Sequence, residues 1–158
     1  DLDGYYDEVI KAYKKILKDF QESRLYILGF GNLTEQLKKE NIKNVTFTGW
    51  EHNPENYLKK SSIYLSLARI DPAGVAVLEA MSMGVVPVVS EGVGYNYVVK
   101  KISKELVVKN TGEAAIIVKK LWNDKRLLEK YSKKAMEISK DYNKEKSLKL
   151  FKKAISLI

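Results

Sequence analysis

One run constrains this chain more than any other: Gly84-Val-Val-Pro87-Val-Val-Ser90, Val-rich and without a charged or strongly polar residue until its last position. A strand apolar on every side chain leaves no face for water, so it belongs inside a sheet covered on both sides. Ahead of it stand an apolar strand candidate at residues 63–67, a turn at Asp71-Pro72, and helix-forming residues from Gly74 to Met83 that Gly84 stops. Strand, helix and strand in that order make a parallel crossover unit. The spacing predicts a helix that begins at Gly74.

The first N–H groups of a helix have no partner inside it and carry the positive end of its dipole, which attracts an anion. Gly74 has no side chain to bar close approach, so a phosphate fits on the amides of Gly74, Val75 and Ala76. Two carboxylates flank this point eight positions apart. Asp71 lies in the loop before the helix and Glu79 about a turn and a half inside it, so both face one crevice. Taken singly, Asp71 reads as a turn starter and Glu79 as a solvent-facing helix residue; the combination points to a site.

These residues resemble the donor-binding half of the group 1 (family 4) retaining glycosyltransferases of the GT-B fold. That family carries a Glu, seven residues, a second Glu followed by Ala and Met, and then Gly-x-Pro-Val-Val. This chain has Asp71, seven residues, Glu79-Ala80-Met81, then Gly84 to Ser90. The resemblance implies that Glu79 holds the ribose of the nucleotide and that Asp71 stands at the transferred sugar as the catalytic carboxylate. It also implies a nucleoside-diphosphate sugar as substrate, with no metal ion or other cofactor. The sequence departs from the pattern in three places: the first acid is Asp rather than Glu, Leu67-Ala68 replaces Pro-Ser, and Tyr97 stands where a Glu is usual.

Taken in order, residues 5–20 form an amphipathic helix with Tyr6, Val9, Ile10, Tyr13, Ile16, Leu17 and Phe20 on one stripe. Residues 24–28 read as a short buried strand that runs into Gly29-Phe-Gly31 and a helix over 33–40. Thr34 occupies the position of a third glycine, which argues against a dinucleotide fingerprint. By resemblance Gly29 and Gly31 make a tight turn beside the donor crevice. Residues 44–49 read as the next strand. By resemblance the loop behind it borders the nucleobase, with Trp50 and Glu51 as contacts; Trp50 as a plug at the core edge is the equal alternative. A short helix is expected over 54–60, a last strand over 105–109, and helices over 112–123, 125–140 and 143–158. Gly92 falls in the loop after the Val-rich strand. Arg69 is a candidate phosphate partner.

Alternating strands and helices at this spacing predict one α/β domain over residues 1–158, a Rossmann-like, doubly wound parallel sheet with its ligand at the carboxyl ends of the strands. Zero Cys excludes disulfides and thiolate metal sites, and His52 alone cannot form a histidine cluster. No apolar run reaches the roughly 20 residues needed to span a bilayer, and a cytoplasmic setting is the expectation. The net charge of +8 comes from Lys scattered along helices and no nucleic-acid motif accompanies it, so no nucleic-acid partner is expected.

The resembling domains begin with a strand and a basic loop before a helix like that at 5–20. The resemblance therefore implies half of a glycosyltransferase, without its first strand or acceptor domain and inactive by itself. A full-length enzyme would act on an acceptor glycan or lipid, with peripheral membrane contact left open. Two alternatives remain: a non-catalytic nucleotide-binding module, and half of a GT-B sugar-nucleotide isomerase.

Overall fold

The computed structural model describes residues 4–142 and 146. The elements run α1 (Gly4–Leu17), β1 (Leu25–Leu28), α2 (Thr34–Lys39), β2 (Val45–Gly49), α3 (Glu55–Leu58), β3 (Ile63–Ser66), α4 (Val75–Ser82), β4 (Val86–Ser90), α5 (Asn96–Ile102), β5 (Val107–Val108), α6 (Thr111–Asn123) and α7 (Lys125–Ser139). The helix expected over 143–158 lies outside the described residues, Lys146 excepted.

All strand pairs are parallel, as the crossover pattern requires. They form two sheets rather than one: β1 with β2, and β3–β4–β5 with β4 in the middle. In β4, Val86, Val88 and Val89 are fully buried, and each such side chain contributes about 1.5–3 kcal/mol relative to exposure. Pro87 is tolerated in this central strand because its missing N–H falls on the β5 side. The ladder to β5 starts only at Val89, while Val86 donates to the Ser62 carbonyl on the β3 side at 3.0 Å.

α1 ties the two sheets together. Val9, Ala12 and Ile16 enter the main core with β4, α4, α5, α6 and α7, whereas Ile10 joins Ile27 and Leu37 in a smaller core over β1 and β2. The helix thus buries two adjoining stripes of its amphipathic face, one per sheet.

Two expectations are corrected. Only Val107 and Val108 of the strand expected over 105–109 pair with β4; residues 104–106 form a 3-10 turn. Glu105 points away from the sheet, receiving hydrogen bonds from Lys120 Nζ at 2.6 Å and from Tyr131 OH at 2.7 Å. Helix α5, in turn, has no counterpart among the expected elements. Its core face is Val98, Val99 and Ile102, the i, i+1, i+4 positions of one stripe, and the turn-forming run Gly92–Asn96 hides its start.

The Glu105 contacts give a pH-dependent prediction. Hydrogen bonds from Lys120 and then Tyr131 hold its carboxyl below the ordinary 4.5. A depressed folded-state pKa contributes stability that is present above the unfolded value and lost as pH falls through the folded one. Glu105→Gln should therefore lower stability at pH 7, by at most about 1 kcal/mol for a pair this exposed. In urea unfolding at stepped pH, the difference from the parent should close below about pH 4. A difference that persists into acid would mean that the carboxylate charge contributes nothing.

Candidate nucleotide-sugar site

The carboxyl ends of β3 and β4 carry two loops that are bonded to each other. The Asp71 N–H donates to the Gly92 carbonyl at 3.0 Å and the Gly94 N–H donates to the Asp71 carbonyl at 2.7 Å, a single parallel bridge outside the sheets. Ser90 Oγ adds a hydrogen bond to the Ala68 carbonyl. The loops pack so closely that a Cβ on Gly92 would stand 2.1 Å from the Arg69 carbonyl oxygen, and one on Gly94 2.0 Å from that of Pro72.

This clasp fixes the entry to α4. Gly74 is the N-cap in the left-handed region, φ 62° and ψ 35°, which a residue with a side chain adopts at a cost. Its N–H donates to Asp71 Oδ1 at 2.8 Å, so the aspartate caps its own loop. The helix proper starts one residue later than expected, at Val75. Gly74 is buried with its amide engaged, and the exposed residues at the helix start are Val75 and Ala76. Asp71 is half-buried, with one carboxylate oxygen held and the second within 3.6 Å of where a Gly74 Cβ would stand.

Glu79 lies exposed on α4 and, with Ala76, lines a cavity of about 260 Å3 whose wall also includes Tyr6 and Leu28 at the carboxyl end of β1. Arg69 is exposed and takes part in none of the ion pairs among the described residues. It borders a groove of about 330 Å3 together with Ser90, Gly92, Lys109 and Thr111. Asp71, Glu79, Arg69 and Gly92 are therefore at one edge of the molecule, on three different loops and helices.

The expected base loop is at that edge too, behind β2. Trp50 is 73% exposed, which removes the alternative of a plug at the core edge. The Glu51 carboxylate accepts the Asn53 N–H at 3.3 Å. Burial, and then the Glu51 carboxylate, push the Tyr57 hydroxyl pKa up. Gly29 and Gly31 lie against Tyr6, whose hydroxyl donates to the Leu28 carbonyl at 2.9 Å; their turn receives the start of α1.

Sequence reasoning missed Gly94 and Phe30. Gly94 forms, with Gly92, the same Gly-x-Gly spacing as Gly29 and Gly31, and that repetition was the available signal. Phe30 is 67% exposed with its ring over Gly49, next to Trp50. Among the described residues no group of His, Cys, Asp or Glu is arranged to hold a metal ion, and no helix is long and apolar enough to cross a membrane.

A family profile described as "Glycosyl transferases group 1" matches residues 4–138. The chain belongs to this family. A similar relative is the poly(glycerol-phosphate) alpha-glucosyltransferase of Bacillus subtilis (strain 168), 26% identical over an alignment of 151 positions that covers 85% of this chain and 21% of that protein. The chain thus spans far less than two thirds of that relative's length. A variant of S. aureus TarM, solved in complex with fondaparinux, alpha-GlcNAc-glycerol and UDP, superimposes with a TM-score of 0.80 at 20% identity, over 91% of this chain and 31% of that one. The C-terminal domain of the group 1 family protein LpcC of Francisella tularensis gives 0.76 at 16% identity, over 87% of this chain and 78% of that one. At such identities these structures speak for the fold, which is the Rossmann-like half of a GT-B glycosyltransferase.

Proposed function

We propose that this group 1 domain binds the nucleoside-diphosphate sugar in a retaining glycosyltransferase, joined to an acceptor-binding domain. The observation that carries the reading is the clasped Asp71 loop, which presents the start of α4 and Glu79 at one edge of the sheet.

In this mechanism the diphosphate sits against the exposed end of α4, at the amides of Val75 and Ala76, where the helix dipole offsets the negative charge that grows on the leaving group. Arg69 supplies a nearby cation. Gly74 keeps one oxygen of Asp71 engaged and so orients the other toward the ring of the sugar, where it supports positive charge. Glu79 accepts hydrogen bonds from the ribose hydroxyls, and Trp50 with Glu51 borders the base. Charge stabilisation at a helix end needs no divalent ion.

The two carboxylates should separate cleanly by calorimetry. Glu79→Ala should weaken binding of the bare nucleoside diphosphate by about 1.5–3 kcal/mol, the loss of a charge-assisted hydrogen bond. Asp71→Asn, which keeps a carbonyl to cap Gly74, should leave that binding nearly unchanged and weaken only the sugar nucleotide. Reversed sensitivities would exchange the two roles.

A further inference from the structure

The excess positive charge is not spread evenly over the described residues. Residues 4–92 hold eleven Lys and Arg against eleven Asp and Glu, whereas residues 93–142 hold twelve against six. Within that second stretch the lysines of α6 are matched: Lys119 pairs with Asp19, and Lys120 with Glu105 at 2.6 Å. The surplus therefore sits on α5 and α7. On α7 Arg126, Lys130, Lys133 and Lys134 are all exposed, and the acids among them are Glu129 and Glu137. Lys133 pairs with Glu129 at 2.6 Å, but Arg126 and Lys130 take part in none of the ion pairs among the described residues.

Three contacts place α5 antiparallel beside α7. Tyr95, just ahead of α5, meets Tyr142, just past α7, edge-on with ring centroids 6.1 Å apart. The Ile102 carbonyl at the end of α5 accepts from Lys134 Nζ at 2.8 Å, and Glu105 beyond it accepts from the Tyr131 hydroxyl at 2.7 Å. With Val98, Val99 and Ile102 turned to the core, α5 exposes Tyr97, Lys100 and Lys101, and the exposed Lys104 follows at its end. Lys134 lies at the seam, so the exposed faces of the two helices adjoin as one basic surface. The recess on it, about 400 Å3, is walled by α7 side chains alone, from Arg126 to Glu137. It is a gap between side chains rather than a cleft between elements.

We propose that the α5–α7 face docks on the surface of an anionic lipid bilayer, held there by charge. A charged leaflet needs no pocket, because each Lys or Arg brought near it contributes on its own, and a surface two helices wide brings many at once. A single polyanionic chain would need a groove to keep it in register, and the recess on α7 offers no second wall. Tyr97, 54% exposed at the start of α5, adds the kind of amphipathic ring that settles at headgroup level. Helix α5 begins just past Gly94, so the docked face lies next to the Asp71 loop. The docking rests on the charge distribution and is independent of the nucleotide reading.

The test sediments the whole chain with vesicles of phosphatidylcholine, and with vesicles of equal parts phosphatidylcholine and phosphatidylglycerol. Binding should be confined to the second kind and should fall as added salt shortens the Debye length below about 8 Å. Lys100→Gln, Arg126→Gln and Lys130→Gln combined should lower the partition coefficient by about 100-fold, since each cation near an anionic leaflet contributes about fivefold. Lys11→Gln, Lys14→Gln and Lys38→Gln combined remove the same charge from ion pairs on α1 and α2, and should change it by less than about threefold. With the unmodified chain on anionic bicelles that carry a spin-labelled headgroup, the amides of residues 97–104 and 126–134 should broaden first. No binding to the mixed vesicles, equal losses in the two triple variants, broadening centred elsewhere, or binding to soluble polyphosphate with none to vesicles would each overturn the proposal.

Discussion

Gly94→Ala is expected to destabilise the domain by about 3 kcal/mol, because the new methyl has nowhere to go. It would stand 2.0 Å from the Pro72 carbonyl oxygen and 2.7 Å from its carbon, and both are backbone atoms of the loop that carries Asp71. A flexible side chain could swing aside; this backbone moves only if the two loops part, which breaks the Asp71–Gly92 and Gly94–Asp71 hydrogen bonds together. Overpacking costs about 1–3 kcal/mol and each lost hydrogen bond about 1 kcal/mol. For a domain of this size the thermal midpoint should fall by about 6–12 °C. Gly92→Ala meets the Arg69 backbone at 2.1 Å and should behave alike. Gly112→Ala is the control: it lies in the first turn of α6 and its Cβ meets only the Asn110 side chain, at 3.1 Å, so its effect should stay under about 1 kcal/mol. If Gly94→Ala were as mild as Gly112→Ala, the clasp would not be what holds Asp71 in place.

The second large effect is catalytic. Incubated with a sugar nucleotide and candidate acceptors, this chain is expected to bind donor and to release no product. Transfer requires an acceptor held against the sugar carbon, and that positioning lowers the barrier by up to roughly 7–11 kcal/mol. The carboxyl edge bearing Asp71, Glu79 and Trp50 is open to solvent, with Trp50 and Glu79 exposed on it. Donor binding should also weaken as salt is raised, because a helix end and Arg69 act at long range and at the surface. Product formation by these residues alone would show a complete active site and contradict the half-enzyme reading.

The sequence made the strands legible where apolar residues run together: β4 is buried on both faces and shows no polar residue before Ser90, and β1 and β3 are apolar runs even though most of their side chains are only half-buried. It was a poorer guide wherever a partner lies far along the chain. The break between β1 and β3 is a property of pairing, and nothing in residues 25–28 or 63–66 taken locally says which strand stands beside them. Glu105 illustrates the same point: its neighbours are β-formers, but Lys120 and Tyr131, 15 and 26 residues on, draw it off the sheet.

The sequence brings the candidate residues to notice but not the contacts they make with one another. Asp71 stands, by resemblance, where the family has its sugar-facing carboxylate and is also a turn-starting residue, and its bond to Gly74 shows that the second property is in use. That bond withdraws the Gly74 amide from the three expected to meet phosphate, leaving Val75 and Ala76. Gly92 reads as a ligand-facing loop glycine; its closest neighbour is instead the backbone of the loop opposite. Both differences arise because a loop's own hydrogen bonds compete with its ligand for the same groups.

The most direct test of the central claim is an amide NMR titration of the labelled chain with uridine, guanosine and adenosine diphosphates, each in magnesium and in EDTA. One nucleotide should bind with shifts concentrated at residues 71–79 and in the loop of Trp50 and Glu51, to the same extent in both conditions. Binding that appears only with magnesium, or shifts that centre away from the start of α4, would contradict the account.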